Sequence, residues 1–377
     1  MEKQLRLLLA AEYFYPAKLG GPANTLYWLA KGFVRNNISV TVITTNHTVD
    51  KNNKFFDRWH EVDGVKVRYC SSKYRFSYKY ILHSIRELKH CDVVMLSSVC
   101  FISNLFVAIA SFANGKKIIW SPRGELFDSA ISGKKYKIRY FHMMDVLFQN
   151  RIFFHATSSE EKERIKCYFP KANNIVIIPN YLELPNVVMR EESEKPYFLF
   201  MGRIKAIKAL DRLVLGVSKS EKFINSNYRL ILAGPDQNNY KQELENIIDS
   251  SGMKDKVIFT GNVSGDCKYK LYADAYFTCL VSHSENFGNV VIESLSQGTP
   301  VIASKGTPWE QLVNKGAGFW IDNSPEEIAR CVDKAIKMNK NEYLKMRANS
   351  SLLASSYDVY NNMKTWIEMV HQAVNKR

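Results

Sequence analysis

Two glutamates, Glu285 and Glu293, stand eight residues apart across a glycine turn in the segment SHSENFGNVVIESLSQGTPVIA at residues 282–303. The apolar runs on either side predict short buried strands, so the unit is expected to be strand, loop, helix and strand. A helix that begins near Gly288 presents free N–H groups that favour an anion such as a phosphate. Glu293 would then lie about two turns along this helix. The spacing can bring both carboxylates to one ligand; the alternative is a plain crossover with two solvated glutamates.

The order of predicted elements indicates an α/β chain with two doubly wound domains. A chain of 377 residues suggests two domains or three. Strands and helices alternate in both halves, which predicts two mainly parallel sheets with helices on both faces. The best linker candidate is the polar, proline-containing stretch 183–196. We therefore expect domains at residues 1–185 and 186–356, followed by an amphipathic C-terminal helix at 357–377.

The predicted strands are short apolar runs, and two helices are marked by their flanking residues. We expect the first helix at residues 24–36 and a buried helix at 101–114. The strands are expected at residues 5–11, 39–44, 65–69, 93–96, 118–120, 152–156 and 175–178 in the first half, and at 197–201, 229–233, 257–260, 276–281 and 300–303 in the second.

The charge of the chain is concentrated in its first half. Residues 1–185 hold 27 Lys and Arg against 15 Asp and Glu, a net charge of +12. The net charge of the whole chain is +15. Such a surface favours a polyanion or an anionic membrane leaflet. Nucleic acid is not predicted as a partner, because no zinc-finger spacing, RNP-like motif or continuous basic helix is present. Seven cysteines without a C-x-x-C pair support neither a disulfide framework nor a zinc site.

Two features bear on membranes. Residues 93–113 carry no charge and are long enough to span a bilayer, but serines and an asparagine divide them into a predicted strand and helix. The basic aromatic runs 73–80 and 134–140 are typical either of contact with anionic lipid or of a solvated surface. No signal peptide is visible, so we expect a cytoplasmic protein, either free or peripheral on the inner face of the cytoplasmic membrane.

Two loops outside the glutamate segment have the composition of phosphate-binding loops. Gly20 and Gly21 follow the first predicted strand and precede a helix, which lets the backbone approach a ligand closely. Arg203 and Lys208 follow the first strand of the second domain, and two cations at that spacing can clamp a diphosphate. Each loop alone is more often a plain turn or a basic loop.

Taken in order, these segments resemble the family 4 glycosyltransferases of GT-B fold over nearly the whole chain. The resemblance rests on Gly-Gly after strand one, Gly-Arg-x4-Lys at the start of domain two, Ala233-Gly-Pro-Asp236, Thr260-Gly-Asn-Val263 and the pair of glutamates. It implies two Rossmann-like domains facing a central cleft, with the acceptor in the first and the nucleotide sugar in the second. It also implies that the C-terminal helix at 357–377 crosses back to the first domain. Members are retaining enzymes that take a sugar from a nucleotide diphosphate.

The resemblance also implies a role for each matching residue. Arg203 and Lys208 are expected to hold the donor diphosphate, and Glu285 to contact the donor sugar. Glu293 is expected to bind the ribose hydroxyls. The remaining donor-binding positions implied are Gly20, Gly21, Gly234, Val263, Phe287, Gly288, Asn289 and Val290.

Two further segments look like a subgroup that builds bacterial surface polysaccharides, such as lipopolysaccharide or capsule: SPRGEL at residues 121–126 and GTPWEQL at 306–312. Many relatives have His where Arg123 stands, so Arg123 is an acceptor-side candidate without a fixed role. The usual Lys-Gly pair is here Lys208-Ala209, which is tolerable if φ at Ala209 is negative.

These residues predict how the transfer would proceed. Breaking a glycosidic bond to a diphosphate places negative charge on the leaving group and positive charge on the sugar ring. Arg203 and Lys208 suit the first charge, and Glu285 suits the second. No Asp-x-Asp is present, so we expect neither a metal nor another cofactor. The predicted reaction is front-face transfer with retention, in which the leaving phosphate helps to deprotonate a glycan or polyprenyl-linked acceptor.

Three other classes of protein are the alternatives. A sugar-nucleotide 2-epimerase shares the architecture, and it would convert the donor without any acceptor. A non-catalytic sugar-nucleotide or polysaccharide binder would be expected to lose Glu285 or the cationic clamp, and both are present. A nucleic-acid-binding protein would show an affinity that falls steeply with salt.

Overall fold

The chain folds into two compact units. The first comprises residues 1–183 together with 359–377, and the second comprises 184–358. The sequence placed the corresponding changes after residues 185 and 356. The computed structural model describes residues 4–17, 21–49, 56–73 and 76–375.

An eight-stranded sheet forms the centre of the first unit. Its strand order is β3-β4-β2-β1-β5-β6-β7-β8, and every neighbouring pair is parallel except β3 with β4. The inner strands are apolar and buried on both faces, as expected when helices cover both sides of a parallel sheet. The strands are β1 (Arg6–Ala11), β2 (Ser39–Thr45), β3 (Trp59–Val62), β4 (Val65–Cys70), β5 (Val93–Ser97), β6 (Lys117–Ser121), β7 (Ile152–Ala156) and β8 (Asn174–Ile177).

Helices pack against both faces of this sheet, because successive side chains of a strand point to opposite sides. Leu7 and Leu9 of β1 join one apolar core with α1 and α15, whereas Leu8 and Ala10 join a second core with α2, α3 and α5. The helices of this unit are α1 (Gly21–Arg35), α2 (Tyr78–Glu87), α3 (Ile102–Ala113), α4 (Asp128–Ile131), α5 (Lys135–Phe148), α6 (Ser159–Tyr168) and the C-terminal α15 (Met363–Asn375).

The second unit contains a six-stranded parallel sheet in the order β11-β10-β9-β12-β13-β14. The chain starts in the middle at β9, builds outward to β11, and then returns to build the other half from β12. This is the doubly wound order of dinucleotide-binding sheets. The strands are β9 (Tyr197–Met201), β10 (Arg229–Ala233), β11 (Val257–Gly261), β12 (Phe277–Leu280), β13 (Val301–Ser304) and β14 (Gly318–Ile321).

Helices of the second unit connect successive strands or follow the last one. Their starts are those expected from capping residues: Ser324 and Asn339 each accept a backbone N–H from the first turn of the helix that follows. The helices are α7 (Leu210–Lys219), α8 (Glu221–Ile224), α9 (Tyr240–Ser250), α10 (Gly265–Asp274), α11 (Asn289–Ser296), α12 (Gln311–Asn314), α13 (Pro325–Ile336) and α14 (Lys340–Ser355).

Helix α3 differs from the prediction of a buried helix. Its inner side packs on the sheet, but Ile102, Phe106 and Ile109 on its outer side are 41%, 47% and 42% exposed. The sequence does not distinguish the buried side of this helix from its exposed side, because both sides carry hydrophobic residues. Within the described ranges, no helix has the length and apolar character needed to cross a membrane.

The C-terminal helix α15 is part of the core of the first unit. Trp366 is 2% exposed, and its ring centroid lies 4.4 Å from that of His155 and 6.4 Å from that of Phe33. Burial lowers the pKa of His155 to about 3, with the charge of Arg123 adding to the effect. A neutral imidazole therefore packs against the indole.

We predict that Trp366→Ala lowers the free energy of unfolding by about 3–5 kcal/mol, because it leaves a cavity between α15 and the sheet. Thermal unfolding followed by circular dichroism measures the change. Leu352→Ala, at a side chain that is 73% exposed, is the control and should stay within about 0.5 kcal/mol of wild type. Equal unfolding temperatures for the two variants would contradict this role of α15.

Candidate functional site

The second sheet reverses its winding direction between two neighbouring strands, β9 and β12. Loops that leave the carboxyl ends of two such strands run in opposite directions, and the crevice between them is where ligands bind in sheets of this type. Arg203 and Lys208 follow β9, and Glu285 follows β12. Three of the predicted residues thus lie at the reversal point.

The loop after β9 is held by the loop after β10 through backbone contacts. The N–H of Gly202 donates to the carbonyl of Ala233 at 2.9 Å, and that of Ile204 to Pro235 at 2.9 Å. A Cβ on Gly234 would lie 1.8 Å from the carbonyl oxygen of Gly202. Gly234, predicted to lie near the base, is therefore required by the close approach of these two loops.

An ion pair joins the loop after β9 to the loop after β12. The Lys208 ammonium contacts the Glu285 carboxylate, and the two side chains are only 15% and 20% exposed. The backbone supports this contact, since the N–H of His283 donates to the carbonyl of Ile207 at 2.9 Å. A partly buried pair is screened by salt less than a surface pair.

A third cation, Lys205, lies in the same loop and was missed by the sequence reasoning. Burial lowers its pKa, and the charges of Arg203 and Lys208 lower it further, while Glu285 opposes the shift. Three basic side chains of this loop thus lie near the Glu285 carboxylate of the loop after β12. The alternating basic residues of the segment RIKAIK at 203–208 are the signal that would have indicated it.

Helix α11 begins at the reversal point with a glycine. Gly288 is the N-cap in the left-handed conformation, with φ of +84°, and no side chain caps the helix. A Cβ there would lie 2.7 Å from Leu280 Cδ2, so the turn cannot accommodate a side chain without rearrangement. The buried indole N–H of Trp309 donates to the carbonyl of Phe287 and fixes the turn. Gly288 thus places the start of α11 at the reversal point, and the start of a helix favours an anion.

Glu293 is held by partners that the sequence did not identify. Its carboxylate accepts from the Lys268 ammonium at 2.6 Å and from the Tyr272 hydroxyl at 3.0 Å. Burial, and secondly the charge of Glu293, raise the pKa of Tyr272 well above its ordinary value. The two glutamates therefore have different lysine partners, Lys208 for Glu285 and Lys268 for Glu293.

An apolar cluster lies beside Glu293. Val263 and Val290, both predicted to be donor-binding, are partly buried and pack against a set of residues that includes Ala233 and Tyr272. Ala233 is the last residue of β10, Val263 follows β11, and Val290 lies in the first turn of α11. An apolar wall next to a carboxylate is suited to a nucleoside, whose flat base packs on apolar side chains and whose ribose hydroxyls donate to a carboxylate.

The remaining predicted residues belong to the first unit. Gly20 lies outside the described residues, and Gly21 is the first residue of α1. Arg123 follows β6, where its Nη1 donates to Asn180 Oδ1 at 2.8 Å. In the described part of the chain, no group of three or more His, Cys, Asp or Glu side chains is placed to hold a metal ion. Metal-independent activity stays a prediction.

Ala209 contradicts one expectation. Its φ is +53°, in the left-handed region, so the condition of a negative φ is not met. A left-handed alanine costs roughly 1–2 kcal/mol. Ala209 ends the turn at Lys208 and starts α7, so this strained backbone lies directly beside the ion pair.

The chain is similar to known glycosyltransferases. Residues 187–351 match the family model of the glycosyl transferases group 1. An uncharacterized glycosyltransferase of Methanocaldococcus jannaschii is 30% identical over 187 residues, which are 49% of this chain and 45% of the relative. The GDP-mannose:cellobiosyl-diphosphopolyprenol alpha-mannosyltransferase of Xanthomonas oryzae pv. oryzae is 23% identical over 80% of each chain. The chain spans about half the length of the first curated relatives that it matches.

Among solved structures, Anabaena HepE in complex with UDP and glucose is similar in fold. It has a TM-score of 0.75 at 17% identity, and the match covers 98% of this chain and 100% of that one. The prediction of a GT-B fold, α/β with two Rossmann-like units, is confirmed by this likeness and by the two parallel sheets.

We predict that Ala209→Gly raises the free energy of unfolding by up to about 1 kcal/mol, because glycine relieves the left-handed strain. Ala329→Gly is the matched control: Ala329 is buried inside α13, so the same change should destabilise by about 1 kcal/mol or more. Thermal unfolding of the two variants measures the difference. A fall in stability for both variants would show that Ala209 is not strained.

Proposed function

We propose that the protein is a family 4 glycosyltransferase that moves a sugar from a nucleotide diphosphate to an acceptor with retention of configuration. The observation that carries this proposal is the set of charges at the reversal point of the second sheet. Arg203, Lys205 and Lys208 lie in one loop opposite Glu285, near the start of α11. The family match over residues 187–351 and the names of the relatives support it.

In this proposal the cationic loop binds the diphosphate of the donor. Arg203 offers paired N–H donors and the lysines act as point charges, while the amides at the start of α11 add partial positive charge. These groups stabilise the negative charge that develops on the leaving diphosphate. Because Lys208 contacts Glu285, an arriving phosphate shares or takes over this lysine.

Glu285 is the proposed catalytic carboxylate. When a phosphate binds the Lys208 ammonium, Lys208 neutralises the Glu285 carboxylate less. The negative charge of Glu285 then stabilises the positive charge that develops on the donor sugar. Glu293 is proposed to accept the ribose hydroxyls, with Lys268 and Tyr272 fixing its orientation. The leaving phosphate then takes the proton of the attacking hydroxyl on the same face, which gives retention.

The proposed acceptor is a glycan or a polyprenyl-linked sugar used in bacterial surface polysaccharide synthesis, such as lipopolysaccharide or capsule. Support comes from the Xanthomonas relative, which is named as an alpha-mannosyltransferase acting on cellobiosyl-diphosphopolyprenol. An enzyme with such an acceptor works at the inner face of the cytoplasmic membrane.

We predict that Glu285→Gln lowers the rate of transfer roughly 10²- to 10³-fold, because it removes the charge that faces the sugar. Release of UDP or GDP is measured with a panel of nucleotide sugars and a lipid-linked acceptor extract. Glu221→Gln, at an exposed carboxylate of α8 in the same unit, is the control and should keep full activity. Wild-type rates in Glu285→Gln would refute the assignment.

We also expect the product to keep the anomeric configuration of the donor, so that an axial donor gives an axial product. The rate of transfer should be the same when a chelator is present, because no metal ion is expected to take part.

The first unit has a surface suited to a membrane. Twelve of the twenty large hydrophobic side chains that are exposed among the described residues lie within residues 76–147. Helices α2, α3 and α5 pack side by side on one face of the sheet and carry eleven of the twelve. Together with the preceding Phe76 we call this the apolar face: Phe76, Tyr78, Leu82, Ile85, Ile102, Phe106, Ile109, Tyr136, Ile138, Met143, Val146 and Leu147.

The charges around the apolar face favour an anionic bilayer as its partner. Exposed cations on or beside these helices include Arg86, Lys134, Lys135 and Arg139. The acidic side chains of the same helices are withdrawn, since Asp145 is buried and Glu87 is 16% exposed and near Lys66. Apolar side chains surrounded by cations are typical of proteins that lie on anionic lipid.

We predict that the full chain binds vesicles of phosphatidylglycerol and phosphatidylcholine, and that Phe106→Glu with Ile109→Glu weakens this binding at least about tenfold. Both side chains are exposed, so the fold should be unaffected. Leu352→Glu, on the other unit, is the matched control, and sedimentation measures binding. Unchanged binding of the double variant would contradict the membrane role of the apolar face, and loss of a dimer in that variant would identify a second copy as its partner.

A further inference from the structure

The guanidinium of Arg123 is buried with part of its hydrogen-bonding capacity unused. Its Nη1 donates to Asn180 Oδ1 at 2.8 Å. Its Nε and Nη2 atoms are excluded from solvent and have no hydrogen-bond partner among the described residues. Buried polar groups are almost always paired, so each exception requires an explanation.

The two unpaired nitrogens form one edge of the guanidinium. The N–H bonds of Nε and Nη2 run parallel and outward on the same side, and this edge matches two oxygens of an oxyanion. The bond from Nη1 to Asn180 fixes the plane of the group from another side. The edge left over is therefore the one best suited to hold a bidentate ligand.

No neighbouring carboxylate satisfies this edge. Glu161 is close enough to act on Arg123 electrostatically, but its oxygens accept from Gly124 N at 2.6 Å and from Thr157 N and Oγ1 at 2.7 and 2.9 Å. Burial raises the pKa of Glu161, and burial also lowers the pKa of Arg123 to about 10. The Arg123 guanidinium is thus removed from water, which is unfavourable for a cation, and its hydrogen bonds only partly compensate for this.

The backbone holds Arg123 in a conformation that few residues adopt. Arg123 has φ of +56° and Gly124 has φ of +83°, directly after the carboxyl end of β6. The bond between Gly124 N and Glu161 keeps this turn in place. Strained residues that the surroundings fix in this way occur at ligand-binding positions, and the carboxyl ends of parallel strands are where such sheets bind ligands.

We infer that the Nε and Nη2 edge of Arg123 is a binding site for a phosphoryl oxyanion in the first unit. Because this rests on the proposed function, we assign the site to a phosphate of the acceptor, which makes a phosphorylated or diphosphate-linked acceptor the substrate class. The donor diphosphate has its own cationic loop in the second unit.

The site can be observed directly in the full chain with arginine labelled by ¹⁵N. The Nε–H resonance of Arg123, identified by its loss in Arg123→Lys, should shift and saturate as inorganic phosphate is added to tens of millimolar. Arg203→Gln should leave that shift in place, because Arg203 lies in the donor loop. Acetate should give a weaker shift if the site prefers a phosphoryl group, and an equal shift would reassign it to carboxylates. An Arg123 resonance that does not respond to phosphate overturns the inference.

Stability separates a ligand site from a structural arginine. In phosphate-free buffer Arg123→Met should unfold at the wild-type temperature or above it, because it removes an incompletely paired buried cation. Phosphate should raise the unfolding temperature of Arg203→Gln by more than that of the double variant Arg123→Met with Arg203→Gln. A lower unfolding temperature of Arg123→Met without phosphate would assign the guanidinium a structural role and overturn the inference.

The outcomes also distinguish this inference from the proposed function. Phosphate binding at Arg123 requires neither a nucleotide sugar nor turnover. If the protein transfers sugar but the Arg123 resonance does not shift with phosphate, the acceptor-phosphate site is wrong and the proposed transferase function still stands. If the Arg123 resonance shifts with phosphate but the protein transfers no sugar, the anion site stands and the proposed transferase function is wrong.

Discussion

The ion pair between Lys208 and Glu285 joins the two loops on which the candidate site depends. It connects the carboxyl ends of β9 and β12, the strands between which the second sheet reverses its winding. A second lysine holds the second glutamate in the same way, since Lys268 contacts Glu293. Each carboxylate is thus paired with a lysine of its own. An anionic ligand that competes for Lys208 changes the charge that Glu285 presents, which couples binding to the chemistry expected of that carboxylate.

Backbone packing without side chains makes this arrangement possible. Gly234 lies against Gly202, and a Cβ on Gly306 would lie 2.4 Å from the carbonyl oxygen of His283. Gly288 packs against Leu280 at the start of α11. Three loops and one helix start therefore converge within the space that glycine leaves. Gly234 and Gly288, which the sequence predicts as donor contacts, also have a structural function, because a side chain at either position would clash with a neighbouring loop or strand.

The sequence was sufficient for the sheets and for the positions of the charged motifs. Hydrophobic runs predicted β7, β9 and β10 at their observed bounds, because strands buried on both faces are continuously apolar. Lys205, Lys268 and Tyr272 were missed because their importance depends on a partner distant in the chain. The left-handed φ of Ala209 was missed because alanine carries no signal for it. The exposed side of α3 was missed because hydrophobic composition does not distinguish a core from a surface that binds a partner.

The central claim is that cationic side chains and the start of α11 bind a nucleotide diphosphate without a metal ion. A crystal structure of the full chain with UDP or GDP, grown in the presence of a chelator, tests it most directly. We expect the diphosphate to contact Arg203 and Lys208 at the start of α11, with Glu285 released from Lys208 or sharing it. A diphosphate bound elsewhere, or nucleotide that binds only when a divalent cation is restored, would contradict the claim.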